Sequence, residues 1–380
     1  MIYFDNAATS FPKPPAVISA MCDYMTKTGG NPGRSAHMLS FAAGETVFAA
    51  RQLLAELFGV SDPMRAVMLF NATDALNLAI QGILRPGDHA VTTSMEHNST
   101  ARPLFELQKA GRIEVSVASA GPDGKTAPEQ IERLITDKTK LVVVNHVSNV
   151  FGTVQPIERI GRVCRKSGAA FLVDAAQSAG CININLERDN IDLLACAGHK
   201  GLLGPTGTGA LVISDSFDYT KIRPLRFGGT GSLSDRVEQP DFLPDIFESG
   251  TLNAAGLAGL AEGLKFIAAY PGGAQAIGRR ERELAAGFVE SAAEAVRGFR
   301  TYTGSVETGT VAFNIDGISS AQLAGRLSEQ GIMSRAGLHC APLAHQTMNT
   351  FPAGNVRFSL GCFNTEEEIA IAVKALAAVV

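Results

Sequence analysis

A repeated alternation of short apolar runs with helical patterns is the feature of this sequence that most restricts its fold. The apolar runs occupy 67–70, 89–94, 115–118, 141–144 and 171–173. Nearly continuous apolar strands separated by helices are typical of a mostly parallel sheet that is covered on both faces. We therefore predict an α/β fold, with a large domain over 15–253 and a smaller α/β domain formed by 1–14 and 254–380. After residue 253 we predict one helix over 254–269 and another over 279–296.

Polar residues follow several of these apolar runs. In an open parallel sheet, ligands bind beyond the carboxyl ends of the strands. The residues in this position are Thr73, His97, Asn149, Asp174 and Lys200. Residues scattered over a surface would have no reason to share this placement, so we predict that they form one site.

Lys200 stands between a short apolar strand at 193–195 and the glycine-rich segment LGPTGTG at 203–209. A partly desolvated lysine can lose its proton and form a Schiff base, and the aldehyde most often held in this way is pyridoxal 5'-phosphate. Asp174 ends another apolar strand, and a carboxylate beside the pyridine nitrogen keeps that cofactor protonated as an electron sink. A helix N-cap is the alternative for Asp174. The pair favours a pyridoxal-phosphate site, where Gln177 and Asn149 could reach the ring hydroxyl.

The segment NATDALN at 71–77 turns from a strand into a helix. Free N–H groups and the positive end of the helix dipole make such a turn a seat for phosphate, with Ala72 and Thr73 as candidate contacts. An ordinary capped helix is the alternative. His97 could lie flat over a conjugated ring, shuttle protons, or have a structural role.

The segment SRAGLHCAP at 334–342 contains the cysteine that most calls for a chemical role. Cys340 lies near Arg335, and a nearby cation favours the thiolate that acts as a nucleophile. A buried inert thiol is the alternative. Arg357 lies inside an apolar strand, where its fork of donors suits either an amino acid carboxylate or an internal ion pair. We predict substrate contacts from Arg357, Arg335 and Asn149.

Composition excludes several classes of function. The chain has 380 residues, a formal net charge of -4 and no basic block, so nucleic acid is not an expected partner. No apolar run approaches the roughly 20 residues that cross a bilayer, and the N-terminus lacks the pattern of a signal peptide. The six cysteines have no metal-ligand spacing. We expect a cytoplasmic protein without a membrane segment or a metal site.

With these residues in view, the chain resembles the pyridoxal-phosphate-dependent cysteine desulfurases of the class V aminotransferase superfamily. The resemblance covers nearly the full length, from DNAAT at 5–9 to RFSL at 357–360. The segment RAGLHCA at 335–341 is similar to the Suf-type and selenocysteine lyase-like subgroup. The resemblance implies the type I fold of pyridoxal-phosphate-dependent transferases, a homodimer, and conversion of L-cysteine to L-alanine with delivery of the sulfur to an acceptor.

The resemblance also implies a role for each candidate residue. Lys200 would be the Schiff-base lysine, and His97 would stack on the cofactor ring. Cys340 would accept the sulfur as a persulfide, and Arg357 would hold the substrate carboxylate. The other cofactor contacts would be Ala72, Thr73, Asn149, Asp174, Gln177, His199 and, from the second subunit, Thr251.

Two positions depart from the family pattern. Ala197 stands two residues before the lysine, where a hydroxyl residue is usual, and Leu338 stands where the subgroup often has the first of two histidines. Selenocysteine lyase, which would act on L-selenocysteine, is therefore the nearest alternative. A transaminase or aldolase would leave Cys340 without a role, and a non-catalytic scaffold would have no use for Lys200.

Overall fold

The structure is a computed structural model that describes residues 1–33 and 37–379. Its strands are β1 (Ile2–Tyr3), β2 (Ala66–Leu69), β3 (His89–Thr93), β4 (Glu114–Ala118), β5 (Thr139–Asn145), β6 (Ala170–Asp174), β7 (Leu193–Ala197), β8 (Gly209–Ile213), β9 (Phe299–Thr301), β10 (Thr310–Ile315), β11 (Ile332–Met333), β12 (Arg335–Gly337) and β13 (Asn355–Ser359). Its α-helices are α1 (Pro15–Asp23), α2 (Met38–Phe58), α3 (Ala72–Ile83), α4 (Asn98–Lys109), α5 (Pro128–Leu134), α6 (Ile157–Ser167), α7 (Ala254–Ala269), α8 (Gly273–Ala295), α9 (Ser320–Glu329), α10 (Pro342–Thr347) and α11 (Glu366–Val379). None of these described helices is long and apolar enough to cross a membrane.

Within the described residues, seven strands form one large sheet in the order β2-β8-β7-β6-β5-β3-β4. The strands β3 to β7 pair in parallel, whereas β8 runs antiparallel to both β7 and β2. Parallel strands are buried on both faces, which explains their unbroken apolar runs. The predicted mostly parallel α/β sheet is confirmed, with β8 as its antiparallel member.

Alternate side chains of each strand pack on opposite faces of the large sheet. In β5, Val142 and Val144 belong to one core cluster, whereas Leu141 and Val143 belong to the other. Helices α2, α6 and α7 cover the first face, and α3 and α4 cover the second. Full burial of an aliphatic side chain contributes about 1.5–3 kcal/mol, so the two cores together hold the sheet in place.

A smaller antiparallel sheet in the order β12-β13-β10-β9 forms a further core with α8, α9 and α11. Phe288, Phe313 and Phe358 meet there, with ring centroids 4.9 to 5.4 Å apart. Strand β1 joins this part of the molecule because Ile2 pairs in parallel with Ile332 of β11. The first residues of the chain therefore lie beside its last third.

Two helices after residue 253 test the helix predictions made from the sequence. Helix α7 has the predicted bounds, whereas α8 begins at Gly273 rather than at the predicted Arg279. Gly272 adopts a left-handed conformation (φ 86°) directly before the first residue of α8. A glycine within a sequence more often ends a helix or weakens it than begins one. Helix α7 falls in the predicted small domain but packs against α1 and α2 in a core of the large sheet, so the division at residue 253 stays a prediction.

The direction of the strands brings the predicted site residues to one edge. Strands β2, β3, β5, β6 and β7 run in the same direction, so their carboxyl ends lie together. These ends are followed by Thr73, His97, Asn149, Asp174 and Lys200. Open α/β sheets bind ligands at this edge.

Candidate active site

Lys200 lies in the loop that follows β7. The loop folds back on itself, because the Gly198 N–H donates to the Thr208 carbonyl at 2.9 Å and the Gly204 N–H donates to the Gly198 carbonyl at 2.8 Å. A side chain would not fit at position 198, where a Cβ would lie 2.1 Å from Thr208 Oγ1. The glycine-rich sequence therefore holds the lysine at the carboxyl edge of the sheet.

The surroundings of Lys200 make its amine easier to deprotonate. Burial lowers the pKa of Lys200 to about 8, below the ordinary 10.5. The Asp174 carboxylate opposes this shift, whereas Arg357 and Arg335 add to it. At neutral pH roughly a tenth of the amine is unprotonated, so it can act as a nucleophile or a base.

Asp174 ends β6 and is only 2% exposed. Burial raises the pKa of its carboxyl, whereas the Ala176 N–H, which donates to Oδ1 at 2.9 Å, and Lys200 lower it. The residues after Asp174 form turns rather than a helix, so the alternative of a helix N-cap does not hold. The carboxylate is placed to stabilise a cationic group at this edge.

His97 is the N-cap of α4, where its Nδ1 accepts the Ser99 N–H at 3.0 Å. Burial lowers the pKa of His97 to about 4, and nearby cations, Lys200 first, act in the same direction. The ring is therefore neutral at physiological pH and carries its proton on Nε2. A neutral His97 ring is better suited to stacking on a ligand than to carrying protons to and from it.

The N-terminus of α3 offers unused N–H groups. Asn71 caps this helix, and its Oδ1 accepts the Asp74 N–H at 2.9 Å. In the part of the chain that the structure describes, no protein group accepts the N–H of Ala72 or Thr73. The Thr73 hydroxyl pairs with Ser99 Oγ at 3.0 Å, which links α3 to α4. Two free N–H groups at the positive end of a helix dipole suit a phosphate.

His199 connects the lysine loop to the start of the chain. Its carbonyl accepts the Ser10 N–H and the Thr9 hydroxyl, each at 3.0 Å. Its ring is half-buried, and its Nδ1 has no hydrogen-bond partner among the described residues. Burial lowers the pKa of His199 to about 4, so the ring is neutral and retains an unpaired nitrogen next to Lys200.

The two remaining predicted cofactor contacts are Gln177 and Thr251. Gln177 is half-buried, and its Nε2 donates to the Ala7 carbonyl at 2.9 Å, which leaves the amide oxygen for other contacts. Thr251 is exposed and lines a small cleft together with Phe70 and Arg226. Its hydroxyl is therefore open to a partner from outside this chain.

Arg357 is buried in β13, with 1% exposure, and its guanidinium pairs with Asp5. The internal ion pair that the sequence left open is thus present. Arg357 Nη1 also donates to the Asn149 carbonyl at 2.9 Å, while its Nε is buried without a partner among the described residues. Asn149 Nδ2 donates to the His339 carbonyl at 2.7 Å, and its Oδ1 is likewise unpaired. A donor and an acceptor therefore remain free in this buried pocket.

Arg335 lies directly opposite Arg357 in the ladder between β12 and β13. Among the described residues, no carboxylate lies within ion-pair distance of Arg335, so Asp5 pairs with Arg357 and leaves the charge of Arg335 unbalanced. Like charges placed opposite each other on a sheet are destabilising. An anionic substrate group would relieve this repulsion.

Cys340 is exposed on the loop between β12 and α10. His339 and Cys340 have φ values of 49° and 57°, in the left-handed region that few residues other than glycine adopt. The Asn98 N–H donates to the Cys340 carbonyl at 2.8 Å and ties the loop to the start of α4. The His339 ring contacts the Arg335 carbonyl at 3.3 Å and stacks on the His345 ring, with centroids 5.8 Å apart. The thiol is exposed while its backbone is fixed.

Comparison with known proteins identifies the family. The model of the aminotransferase class-V family matches residues 2–371. The chain belongs to this family. A probable cysteine desulfurase from Methanothermobacter thermautotrophicus is 34% identical, over 97% of this chain and 92% of that protein. Another from Xylella fastidiosa is 35% identical, over 99% of this chain and 90% of that protein.

Solved structures share the architecture of this class V chain. The apo structure of a cysteine desulfurase from Thermococcus onnurineus has a TM-score of 0.91 and 32% identity, and the match covers 100% of this chain and 94% of that one. A cysteine desulfurase from Escherichia coli has a TM-score of 0.87 and 27% identity, with 99% and 94% covered. The predicted type I fold of pyridoxal-phosphate-dependent transferases is confirmed.

The class V chain also contains site residues that the sequence did not reveal. Asp5 was visible only as part of the DNAAT segment, and its pairing with Arg357 joins opposite ends of the chain. The N–H of Asn98 and the ring of His345 support the Cys340 loop, and neither has a local sequence signal. Across the described residues, no cluster of histidine, cysteine and carboxylate side chains could hold a metal ion.

Proposed function

We propose that this class V chain is a cysteine desulfurase that converts L-cysteine to L-alanine and takes the sulfur onto Cys340. One observation carries the proposal: an exposed cysteine lines the same cleft as Thr73 and His97. Its carbonyl accepts the N–H of Asn98, the residue after His97. The relatives named as probable cysteine desulfurases support the same conclusion.

The residues present fit pyridoxal 5'-phosphate as the cofactor. The unused N–H groups at the start of α3 and the unpaired nitrogen of His199 suit its phosphate, and the buried carboxylate of Asp174 suits its ring nitrogen. When bound, this cofactor supplies an electron sink for the substrate. The residues that would hold it are Ala72, Thr73, His97, Asn149, Asp174, Gln177, His199, Lys200 and Thr251 of a second subunit.

Lys200 moves the protons in this proposal. Its Nζ, with a pKa of about 8, can hold a proton at one stage and release it at another near neutral pH. We assign to Nζ the removal of the proton from the substrate α-carbon. His97, with a pKa of about 4, stays neutral and orients the cofactor by contact with its ring.

Arg357 and Arg335 receive the carboxylate of L-cysteine. The unpaired Nε of Arg357 is a donor that a carboxylate oxygen can satisfy. The unpaired Oδ1 of Asn149 is an acceptor for the substrate amino group. Satisfying both atoms removes the cost of burying them without partners, which is about 1–3 kcal/mol each.

The sulfur step needs no external oxidant. The Cys340 thiolate attacks the substrate sulfur, so that an S–S bond forms while the bond from that sulfur to the β-carbon breaks. The electron pair stays with the β-carbon, which takes up a proton and leaves in alanine. The sulfur loses the two electrons that the carbon gains, and Cys340 holds it as a persulfide. Transfer to an acceptor protein, like the cytoplasmic location, stays a prediction.

The test is alanine release from L-cysteine and from L-selenocysteine by the wild type, by Cys340→Ala and by Cys22→Ala. Cys22 is an exposed cysteine on α1 and serves as the matched control. We expect turnover of L-cysteine by the wild type and the control, and its loss in Cys340→Ala. Turnover of L-selenocysteine alone, retained in Cys340→Ala, would instead identify a selenocysteine lyase.

We also propose a homodimer that completes the site through Thr251. Large apolar side chains are exposed on α2 and on the segment before Thr251, among them Met38 (86%), Phe41 (63%) and Phe227 (71%). Exposed apolar patches of this kind mark interaction surfaces. Phe41→Asp should shift the protein from dimer to monomer in sedimentation velocity, whereas Ile371→Asp, an exposed apolar position on α11, should not. A cofactor-loaded wild-type monomer would contradict the proposal.

A further inference from the structure

Glu96 is a buried carboxyl group at the edge of the sheet where Asp174 and Lys200 lie. It is 0% exposed. Its Oε1 accepts the Thr93 hydroxyl at 2.6 Å and the Asn145 N–H at 3.0 Å. Its Oε2 is buried and has no partner among the described residues. The side chain therefore joins the end of β3 to the end of β5.

Glu96 has neutral donors but no cation to balance a negative charge. No ion pair within the described residues includes it, and the ionisable group that acts on it is another carboxyl, Asp174. The pKa of Glu96 is raised to about 8, chiefly by burial and also by Asp174, against the opposing hydrogen bonds from Thr93 and Asn145. Asp174 has Lys200 beside it and therefore ionises first.

The turn that leads to His97 depends on the same contacts. The Met95 N–H donates to Thr93 Oγ1 at 3.2 Å, and Asn145 Nδ2 donates to the Met95 carbonyl at 3.3 Å. Glu96 binds both Thr93 and Asn145, so it fixes the residues from the end of β3 to His97. A displaced Glu96 would release this turn and the His97 ring with it.

We propose that Glu96 is a neutral, proton-bearing positioning residue that holds the His97 ring in place and leaves the negative charge of this edge on Asp174. The proton sits on Oε2, because Oε1 already accepts two hydrogen bonds. The roles of His97 and Asp174 in this statement rest on the proposed function. The protonation state of Glu96 does not, since it follows from burial and hydrogen bonding alone.

Unfolding as a function of pH tests the protonation state directly. The full chain saturated with pyridoxal phosphate is compared with Glu96→Gln, which keeps the neutral shape and the Oε1 acceptor. A carboxyl whose pKa is raised by folding keeps a proton that the unfolded chain has released. The unfolding constant of the wild type should therefore rise about tenfold per pH unit relative to Glu96→Gln between roughly pH 5 and 8, and then level off.

Glu290→Gln is the matched control, because Glu290 is exposed on α8. Its unfolding constant relative to the wild type should not change over the same pH range. A ratio for Glu96→Gln that is equally flat would show that Glu96 is ionised in the folded protein and would overturn the proposal. This measurement needs no turnover, so its failure is distinct from a failure of the proposed desulfurase activity.

The visible absorption and circular dichroism of bound pyridoxal phosphate test the positioning role. At pH 7, where Glu96 carries its proton, Glu96→Gln should keep the wild-type spectrum and keep kcat within about twofold. Glu96→Ala removes the acceptor for Thr93 and Asn145 and should weaken the dichroism and lower kcat. The proposal fails if Glu96→Gln changes the spectrum or lowers kcat by more than this at pH 7, or if Glu96→Ala folds and leaves the spectrum and kcat unchanged.

Discussion

The two sides of the site are held by different kinds of structure. Asp174 and Lys200 lie on the cofactor side, and Cys340 lies on the sulfur side. Asp174 ends the buried strand β6 and Lys200 follows the adjacent buried strand β7, and the pairing of these strands places Asp174 opposite Ala195. Cys340 belongs to a loop with left-handed backbone, held by the Asn98 N–H and by contacts of His339. The cofactor side therefore depends on the core of the large sheet, whereas the sulfur side depends on a few polar contacts.

This difference matches the chemistry that each side performs in the proposal. Proton transfer at Lys200 requires a fixed geometry, which buried strands provide. Sulfur delivery requires that Cys340 reach first the substrate and then an acceptor, which an exposed loop allows. Substitutions on the two sides should therefore fail in different ways.

Loss of Lys200 should have the largest effect. Lys200→Ala removes the amine that would hold the cofactor and move the substrate proton, so activity should fall by at least about a thousandfold. The visible absorption of the bound cofactor should change as well. Lys166→Ala, which removes an exposed lysine on α6, provides the comparison. Wild-type turnover and spectrum in Lys200→Ala would contradict the assignment.

Arg357 should determine substrate affinity. Arg357→Lys keeps the charge but loses the planar fork of donors, so KM for L-cysteine should rise about tenfold or more, with a smaller change in kcat. Steady-state kinetics of the variant provide the measurement. Arg300→Lys, at an exposed ion pair with Asp316, should leave both constants unchanged. An unchanged KM in Arg357→Lys would assign this arginine to its ion pair with Asp5 alone.

The pKa of Lys200 predicts how cofactor loading depends on pH. Since the unprotonated amine is the reactive form and its pKa is about 8, the rate of loading of the apoenzyme should rise nearly tenfold per unit below pH 8 and level off above it. Asp174→Asn removes the anion that raises this pKa, so the plateau should begin at lower pH. Stopped-flow absorbance measures both. A rate that rises steadily to pH 10 would mean that burial leaves the lysine unperturbed.

The hydrogen bond between Asn98 and Cys340 should have the smallest effect of the four. Asn98 is the first residue of α4, where proline is well tolerated. Asn98→Pro removes the N–H, worth about 1 kcal/mol, and should slow sulfur transfer about fivefold while cofactor binding stays unchanged. Asn98→Ala keeps the N–H and is the control. Equal rates in both variants would show that this bond does not hold the loop.

The two sides also differ in how far the sequence predicted them. The strand ends were predictable because a parallel sheet aligns its carboxyl ends, and this alone brought Asp174, Lys200 and His97 together. Apolar runs and turn residues report local structure, and they indicated the bounds of α7 as well. The cofactor side of the site is thus encoded in patterns that extend over a few residues.

The sulfur side could not be predicted in the same way. The left-handed backbone at His339 and Cys340 has no glycine to signal it, and α10 is too short to show a helical period. The pairing of Arg357 with Asp5 joins residues at opposite ends of the chain. The predicted start of α8 at Arg279 was wrong, because the helix begins at Gly273 and includes Gly278, where a Cβ would lie 1.9 Å from the Cys181 carbonyl oxygen. Such features depend on tertiary contacts.

A single-turnover experiment shows whether Cys340 accepts the sulfur at the Lys200 site. The holoenzyme is mixed with one equivalent of L-cysteine, and the peptide containing Cys340 is analysed by mass spectrometry while alanine is measured. We expect one added sulfur atom on Cys340 for each alanine released, and no added sulfur on Cys22. Alanine release that leaves Cys340 unmodified, with the sulfur found on another cysteine or as elemental sulfur, would show that Cys340 is not the acceptor.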